Sequence, residues 1–270
     1  MSRYRMYKYI LQPIAGKNHW YLQIWMCDTY TPILTRCFPD ISFKLKPGAS
    51  GTCFAQIVMT ERQVLSVQNL LEIFKNHILL VKNKHIEPHF SNELDQCFAL
   101  GFNLTDNEET GGVDYTKYGR LEHLAKEEES SDARDELVDA LSEICKKRPL
   151  YNQAEIVMPV PPNPSKTYHL PVLLTKELAQ KTGKKDGSEL ISKVKETPRL
   201  QELPVDKKLD ALKGAIEITG SMKGKDVIIV DDLYQSGFTL WSIANLLKQK
   251  GAKSVLGLVC VKSRRDTDNQ

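Results

Sequence analysis

The 270-residue chain lacks any Cys-x-x-Cys pair, and its six cysteines, at 27, 37, 53, 97, 145 and 260, follow no regular spacing. That excludes a zinc ribbon and a disulfide framework as the organising device of the fold. No histidine pair is accompanied by a Cys-x-x-Cys pair to complete a metal-ligand set, so no metal held by protein side chains is expected. No apolar run approaches the roughly 20 residues that span a bilayer. Met1 to Tyr9 is basic and aromatic but has no apolar signal core, so a reduced, cytoplasmic protein without a membrane partner is the expectation. Charge of one sign is also missing: 37 Lys and Arg stand against 34 Asp and Glu, a formal +3. Whole-chain electrostatics therefore demand neither a nucleic acid nor an acidic membrane. With 41% hydrophobic residues the chain can hold one core of ordinary size and a smaller one, so two domains are expected.

Residues 1–105 read as a small α+β domain. Short apolar stretches at Tyr7 to Ile14, Trp20 to Met26, Ile33 to Phe38 and Phe54 to Met59, separated by turn residues such as Lys46-Pro47-Gly48, suit a mostly antiparallel sheet. Val64, Val67, Leu70, Leu71 and Phe74 then recur at helical spacing after Thr60, a candidate N-cap. Residues 1–100 carry 11 Lys and Arg and 7 Asp and Glu, with Tyr4, Tyr7, Trp20, Tyr21 and Trp25 among them. Aromatics beside basic residues on a sheet suit stacking of single-stranded nucleic acid, while core packing explains the same residues without a partner. Residues 101–118, rich in Asn, Asp, Glu, Thr and Gly, read as a linker or an exposed loop, which puts the domain boundary at 105/106.

The densest information lies in Asp226 to Leu240, DVIIVDDLYQSGFTL. Val227 to Val230 is a continuous β-branched and aliphatic run, the pattern of a strand buried on both faces of a parallel sheet. Asp231 and Asp232 fall where that strand is expected to leave the sheet. A turn containing Gly237 follows, and Leu240, Ile243, Leu246 and Leu247 mark a helix that stops at Gly251. In open α/β sheets ligands sit beyond the carboxyl ends of the strands, and a helix start offers unpaired N–H groups to a phosphate. Two carboxylates beside it suit vicinal hydroxyls. The alternative is that the acids cap a turn and the hydroxyls cap a helix.

A second strand, loop and helix unit lies upstream. Ile156 to Met158 ends at Pro159, and the Pro-rich run to Thr167 precedes a helix over about 172–181. Prolines fix φ, so Ser165 and Lys166 sit on a stiff loop, and one cation there suits a diphosphate. Between the two units, Leu190 to Asp210 is basic and weakly patterned, which suits either a lid that closes over an anion or a solvated charged loop. Ala215 to Ile218 and Ser254 to Val261 read as strands. Acidic residues in 127–136 read as a solvated helix face, and His169 either reaches the ligand or is a surface imidazole.

The segment DVIIVDDLYQSGFTL resembles the signature of the type I phosphoribosyltransferases. Together with the Pro-rich turn, the segments Lys195-Glu196-Thr197 and Leu200 to Leu203, and Leu212-Lys213-Gly214-Ala215, residues from about 115 to 262 resemble the narrower ComF-like phosphoribosyltransferases. The resemblance implies an α/β core with a mostly parallel sheet flanked by helices over residues 106–270. It implies binding of 5-phosphoribosyl 1-diphosphate and transfer of the phosphoribosyl group to a nitrogen acceptor with release of diphosphate. Asp231 and Asp232 would hold the ribose hydroxyls, and Gln235, Ser236, Gly237, Phe238 and Thr239 the 5-phosphate. Ser165 and Lys166 would meet the diphosphate, with Lys166, Asp231 and Asp232 stabilising the transition state. Mg2+ would ride mainly on the diphosphate.

The sequence departs from the family in places. Several purine-acting members have an Asp where Gln235 stands, and Gln takes no proton. The Cys-rich start and the Arg-Gly-Phe-Asn-type run of ComF-like proteins are absent, the latter replaced by Thr167 to Pro171, and Lys207 or Lys208 stands near their Arg. Lys262, Arg264 and Arg265 are candidates for the acceptor pocket. Other expectations are a non-catalytic nucleotide or phosphoribosyl-diphosphate sensor in DNA uptake or processing with a DNA-binding first domain, and a homodimer built on that domain.

Overall fold

The computed structural model describes residues 6–27, 34, 38, 40–43, 45–47, 52–80, 82, 86–107, 109–200 and 203–264. The chain divides into two compact units between Leu79 and Leu80.

The first unit holds β1 (Met6–Pro13), β2 (His19–Cys27), β3 (Leu45–Pro47), β4 (Thr52–Thr60) and α1 (Glu61–Asn76). Its sheet has the order β1-β2-β4-β3 with antiparallel neighbours throughout. Period-two alternation sets the register: Leu22, Ile24 and Met26 are fully buried, and Leu22 stands opposite Ile57 on β4. Tyr21, Gln23 and Trp25 point to the other face and are half-buried. α1 buries Val64, Val67, Leu70 and Leu71 against the sheet. Gln63 Oε1 accepts from both the N–H (3.0 Å) and the hydroxyl (2.9 Å) of Thr60, the backward half of a capping box. The expected antiparallel sheet and amphipathic helix are both present. Tyr4, Gly48 and most of Ile33 to Phe38 fall outside the described residues.

The second unit contains β5 (Gln96–Phe102), β6 (Leu104–Asp106), β7 (Val113–Tyr115), α2 (Lys117–Glu127), α3 (Ser131–Lys147), α4 (Pro149–Gln153), β8 (Ile156–Pro159), α5 (Leu170–Thr182) and β9 (Lys185–Asp186). It continues with β10 (Ile191–Lys193), α6 (Val205–Leu212), β11 (Ile216–Ile218), β12 (Asp226–Tyr234), α7 (Phe238–Gln249) and β13 (Ser254–Lys262). Five of its strands share a sheet in the order β9-β8-β12-β13-β5, each parallel to its neighbours. Val227 to Val230 on β12 have no exposure at all, as a strand covered on both faces requires. α5 packs on β8 and β12 and α7 on β13, giving the expected mixed α/β fold with a mostly parallel sheet.

Three expectations change. The division falls at 79/80 rather than 105/106, because Gln96 to Phe102 is itself a parallel strand paired with β13. The 101–118 stretch is not a linker: β6 and β7 form a hairpin whose turn is closed by Asn107, which accepts from the N–H of Glu109 and of Thr110. Leu190 to Asp210 is more ordered than its composition suggested. β10 pairs antiparallel with β11 in a separate ribbon, and α6 forms with Lys208 fully buried.

Candidate functional site

Two neighbouring strands end differently, and the difference opens the site. β8 pairs with β12 up to Pro159 opposite Val230, and the N–H of Val160 makes one more bond to Val230 (2.8 Å). Pro161 and Pro162 then have no N–H to offer, so that side of the sheet ends. β12 does not leave the sheet at Asp231 as the sequence suggested. It stays paired with β13 through Tyr234 opposite Lys262, because β13 continues as an unbroken apolar strand. Asp231 and Asp232 therefore sit on a strand supported on one side and open on the other.

The opening is a cavity of about 570 Å³ whose wall includes Asp231, Asp232, Gln235 and Thr239 from β12 and the following turn, and Lys166 and His169 from the Pro-rich loop. Lys126 on α2, Lys193 on β10 and Arg199 complete a cationic rim. Lys126 Nζ lies 2.8 Å from Asp232 and 3.3 Å from Glu122. Burial works against charge on Asp232, but the Lys126 ammonium overrides it and holds this carboxyl below the usual range. For Asp231, burial and then the Asp232 charge outweigh the pull of Lys126 and push it well above the usual range. Burial depresses Lys193, and it depresses His169 to about 4 with help from Lys166, Lys126 and Lys193 against the pull of Asp232. Of the pair, Asp232 is the acid that the surroundings hold toward the charged form and Asp231 the one they push toward the neutral form.

The turn after β12 is built around Gly237. Its φ is +87°, and a Cβ added there would stand 2.1 Å from the Tyr234 hydroxyl oxygen and 2.5 Å from Cζ. Only glycine satisfies both demands, a left-handed backbone and a ring packed against the Cα. Lys262 secures the turn from behind: its buried Nζ donates to the carbonyls of Gln235 and Ser263, both at 3.1 Å. Residues 235–239, with Tyr234, line a second, smaller cavity of about 130 Å³ at the start of α7. Gly237 precedes α7 without a side-chain cap, so the amides opening the helix are the donors a bound anion would meet.

Asn163 joins the Pro-rich loop to the segment after β10. Its Nδ2 donates to Thr197 O (2.9 Å), and its Oδ1 accepts from Thr197 Oγ1 (3.1 Å) and, at 3.4 Å, from Thr197 N–H. Lys193 Nζ donates to the same threonine hydroxyl at 2.9 Å, and Glu196 accepts from the Ser165 N–H at 2.7 Å. The basic segment is clasped to the loop rather than standing off as a lid.

Of the residues singled out from sequence, Asp231, Asp232, Lys166, Gln235 and Thr239 share the larger cavity, and Ser236, Gly237 and Phe238 border the smaller one. Ser165 borders neither, because its backbone is turned toward Glu196. Lys262 is an internal support rather than a cavity residue, Arg264 lines neither cavity, and Arg265 lies outside the described residues. Lys207 and Lys208 are likewise on neither wall, and Lys195 is turned to Lys213 O at 2.7 Å. Sequence reasoning missed Lys126, Asn163 and Thr197. Lys126 sits beside an acidic run that reads as solvated surface, and only the fold brings it to Asp232.

The second unit thus combines a parallel sheet, an acidic pair on a strand open on one side and a glycine turn opening a helix. Residues 172–269 match the family model of the phosphoribosyl transferase domain. The "Hypoxanthine/guanine phosphoribosyltransferase" of Methanotorris igneus is 40% identical over 63 residues, 23% of this chain and 34% of that protein. The "Ribose-phosphate pyrophosphokinase" of Wolinella succinogenes is 43% identical over 56 residues, 20% of this chain and 18% of that protein. A purine phosphoribosyltransferase structure from Pyrococcus horikoshii Ot3 is similar at 20% identity and a TM-score of 0.31, covering 46% of this chain and 69% of that one, too loose a likeness to build on. The chain spans about a third of the length of the hypoxanthine/guanine relatives it matches.

Proposed function

We propose that the second unit binds 5-phosphoribosyl 1-diphosphate with Mg2+ and transfers the phosphoribosyl group to a ring or amino nitrogen, releasing diphosphate. The observation that carries this is one cavity shared by Asp231 and Asp232, the turn before α7, and the clasped cations Lys166 and Lys193. Asp232 and Asp231 take the ribose hydroxyls, the hydroxyls replacing Lys126 on Asp232. The turn 235–239 takes the 5-phosphate at the start of α7. Lys166, Lys193 and Arg199 face the diphosphate, and stabilising that anion as it departs is the main catalytic contribution.

Among the described residues no group of three or more metal-ligating side chains gathers. Mg2+ would be carried by the diphosphate's own oxygens and would supply charge neutralisation when bound. Gln235 accepts no proton, so an acceptor must reach the site already able to lose its own. Incubation with labelled donor, Mg2+ and a panel of bases tests the proposal. Diphosphate release with at least one base is expected; donor binding without release from any base would refute turnover.

A second reading concerns the first unit. Its sheet has one buried face and one carrying half-buried Tyr21, Gln23 and Trp25 beside exposed Ile10 and Val58. That face suits stacking of single-stranded nucleic acid, which would make the protein a nucleotide-responsive module in DNA uptake or processing. Filter binding of the full chain at two salt concentrations tests it: salt-sensitive binding lost in Tyr21→Ala with Trp25→Ala is expected, and no binding at low salt refutes it. Homodimerisation through the first unit is tested by sedimentation. No helix of the described residues is long and apolar enough to cross a membrane, and a cytoplasmic site of action belongs to this proposal.

A further inference from the structure

Resting on the reading of the large cavity as a diphosphate pocket, we propose that His169 takes up a proton from solvent when that anion binds, and holds it as imidazolium beside Lys166 and Lys193. Three observations lead there. His169 precedes α5 with an extended backbone (φ −147°, ψ 104°) and makes no side-chain cap bond, so its ring is not used to finish the helix. The ring lines the cavity, and its Nδ1 is buried without a hydrogen-bond partner. Charged groups act on it from several elements: Asp232 from β12, Lys126 from α2, Lys193 from β10 and Lys166 from its own loop.

With the cavity empty of anion, burial and these three lysines outweigh Asp232, so the imidazole sits near 4 and is neutral at pH 7. Glu127, Asp231 and Arg199 share the wall, and of these Asp231 is itself pushed toward the neutral acid. A diphosphate answers the lysines with several negative charges in the same space. Burial is the first cause that keeps the proton off His169; the anion cancels the lysines' repulsion and offsets burial by giving an added positive charge on the ring a negative partner.

The sign follows from linkage. A group whose pKa rises on binding adds affinity below its bound value and loses that addition as pH climbs through it. If the ring returns from about 4 to its ordinary 6.5, affinity at pH 5.5 is about tenfold higher than with a ring held neutral, and the gain vanishes by about pH 8. Binding at pH 5.5 then draws in about 0.9 proton at this residue.

Titration calorimetry at pH 5.5 in two buffers of different ionisation enthalpy counts that proton, using Mg2+ with inorganic diphosphate and, separately, 5-phosphoribosyl 1-diphosphate. The ligand's own ionisation is common to wild type and His169→Asn, so the difference between the two proteins isolates the ring. Wild type should take up most of one proton more than His169→Asn. Equal counts in two proteins that both bind would overturn the role of His169 and leave the pocket reading standing. Absence of binding of either probe to wild type would overturn both. The Cε1–H resonance of His169, identified among the six histidines as the signal missing from His169→Asn, is followed in wild type against pH with and without diphosphate: an upward move of its midpoint on binding supports the proposal, and an unmoved midpoint refutes it.

Discussion

Gly237→Ala combines two costs, and a second glycine in the same unit separates them. At φ +87° an L-residue carries roughly 1–2 kcal/mol of backbone strain. The added Cβ also lands 2.1 Å from the Tyr234 hydroxyl oxygen and 2.5 Å from Cζ, whereas ordinary contact needs more than 3.4 Å. The ring must move by over an ångström, although it is buried and packs with the Lys262 ammonium 5.8 Å from its centre. Overpacking of this kind costs about 1–3 kcal/mol, so the total is about 2–5 kcal/mol. Gly220 has φ +77° and nothing within 4 Å of its would-be Cβ, so Gly220→Ala carries the backbone part alone. Urea unfolding of both variants should show Gly237→Ala the less stable by about 1–3 kcal/mol. Because the displaced ring borders the smaller cavity, donor affinity should fall in Gly237→Ala and not in Gly220→Ala. Equal stability of the two variants would show that Tyr234 does not hold the turn.

The two acids should respond oppositely in stability while both matter for the ligand. Asp231 is raised in the folded state, so what it contributes is present at low pH and fades as pH rises through its folded value. Asp231→Asn should therefore match or exceed wild type in unfolding experiments at pH 8, the difference shrinking toward pH 4. Asp232 is lowered, so its contribution is present above the ordinary carboxylate value and lost as pH falls through the folded one. Asp232→Asn should be less stable at pH 7 and indistinguishable in acid; the same sign for both variants would contradict the assignment of charge to Asp232. The double Asn variant should lose donor binding in calorimetry. Asn163→Ala removes three hydrogen bonds to Thr197, about 2–3 kcal/mol of local order. Amide exchange over residues 193–200 should quicken and donor KM rise with kcat little changed, while unchanged exchange would rule out the clasp.

The parts of the site that were legible in sequence are those set by local pattern. Val227 to Val230 announced a doubly covered strand, Gly237 a tight turn, and the leucine spacing after it a helix, because strand burial and helix periodicity are written in adjacent residues. The antiparallel first sheet was legible for the same reason. Lys126 was not, since its meaning comes from α2 crossing to the end of β12. Neither was the clasp: Asn163 and Thr197 are ordinary loop residues until two separate loops meet. The misplaced boundary has a related cause. Gln96 to Phe102 is a short apolar run whose partner strand lies at the far end of the unit, and the polar hairpin beyond it resembles a linker until its two strands are seen to pair.

That partner deserves a kinetic reading. β5 is hydrogen-bonded to β13, residues 96–102 against 256–262, so the strand that begins the sheet of the second unit waits for the one that ends it. Such a pairing has high contact order, and it forms late and slowly. Until it does, β13 has an open edge of aliphatic residues that can pair with another chain. A fragment cut to the family-matched stretch, residues 172–269, would lack both β5 and β8, leaving β12 and β13 as a two-stranded remnant with two bare flanks. It should aggregate rather than fold, whereas a fragment beginning at residue 80 retains all five parallel strands, β5, β8, β9, β12 and β13.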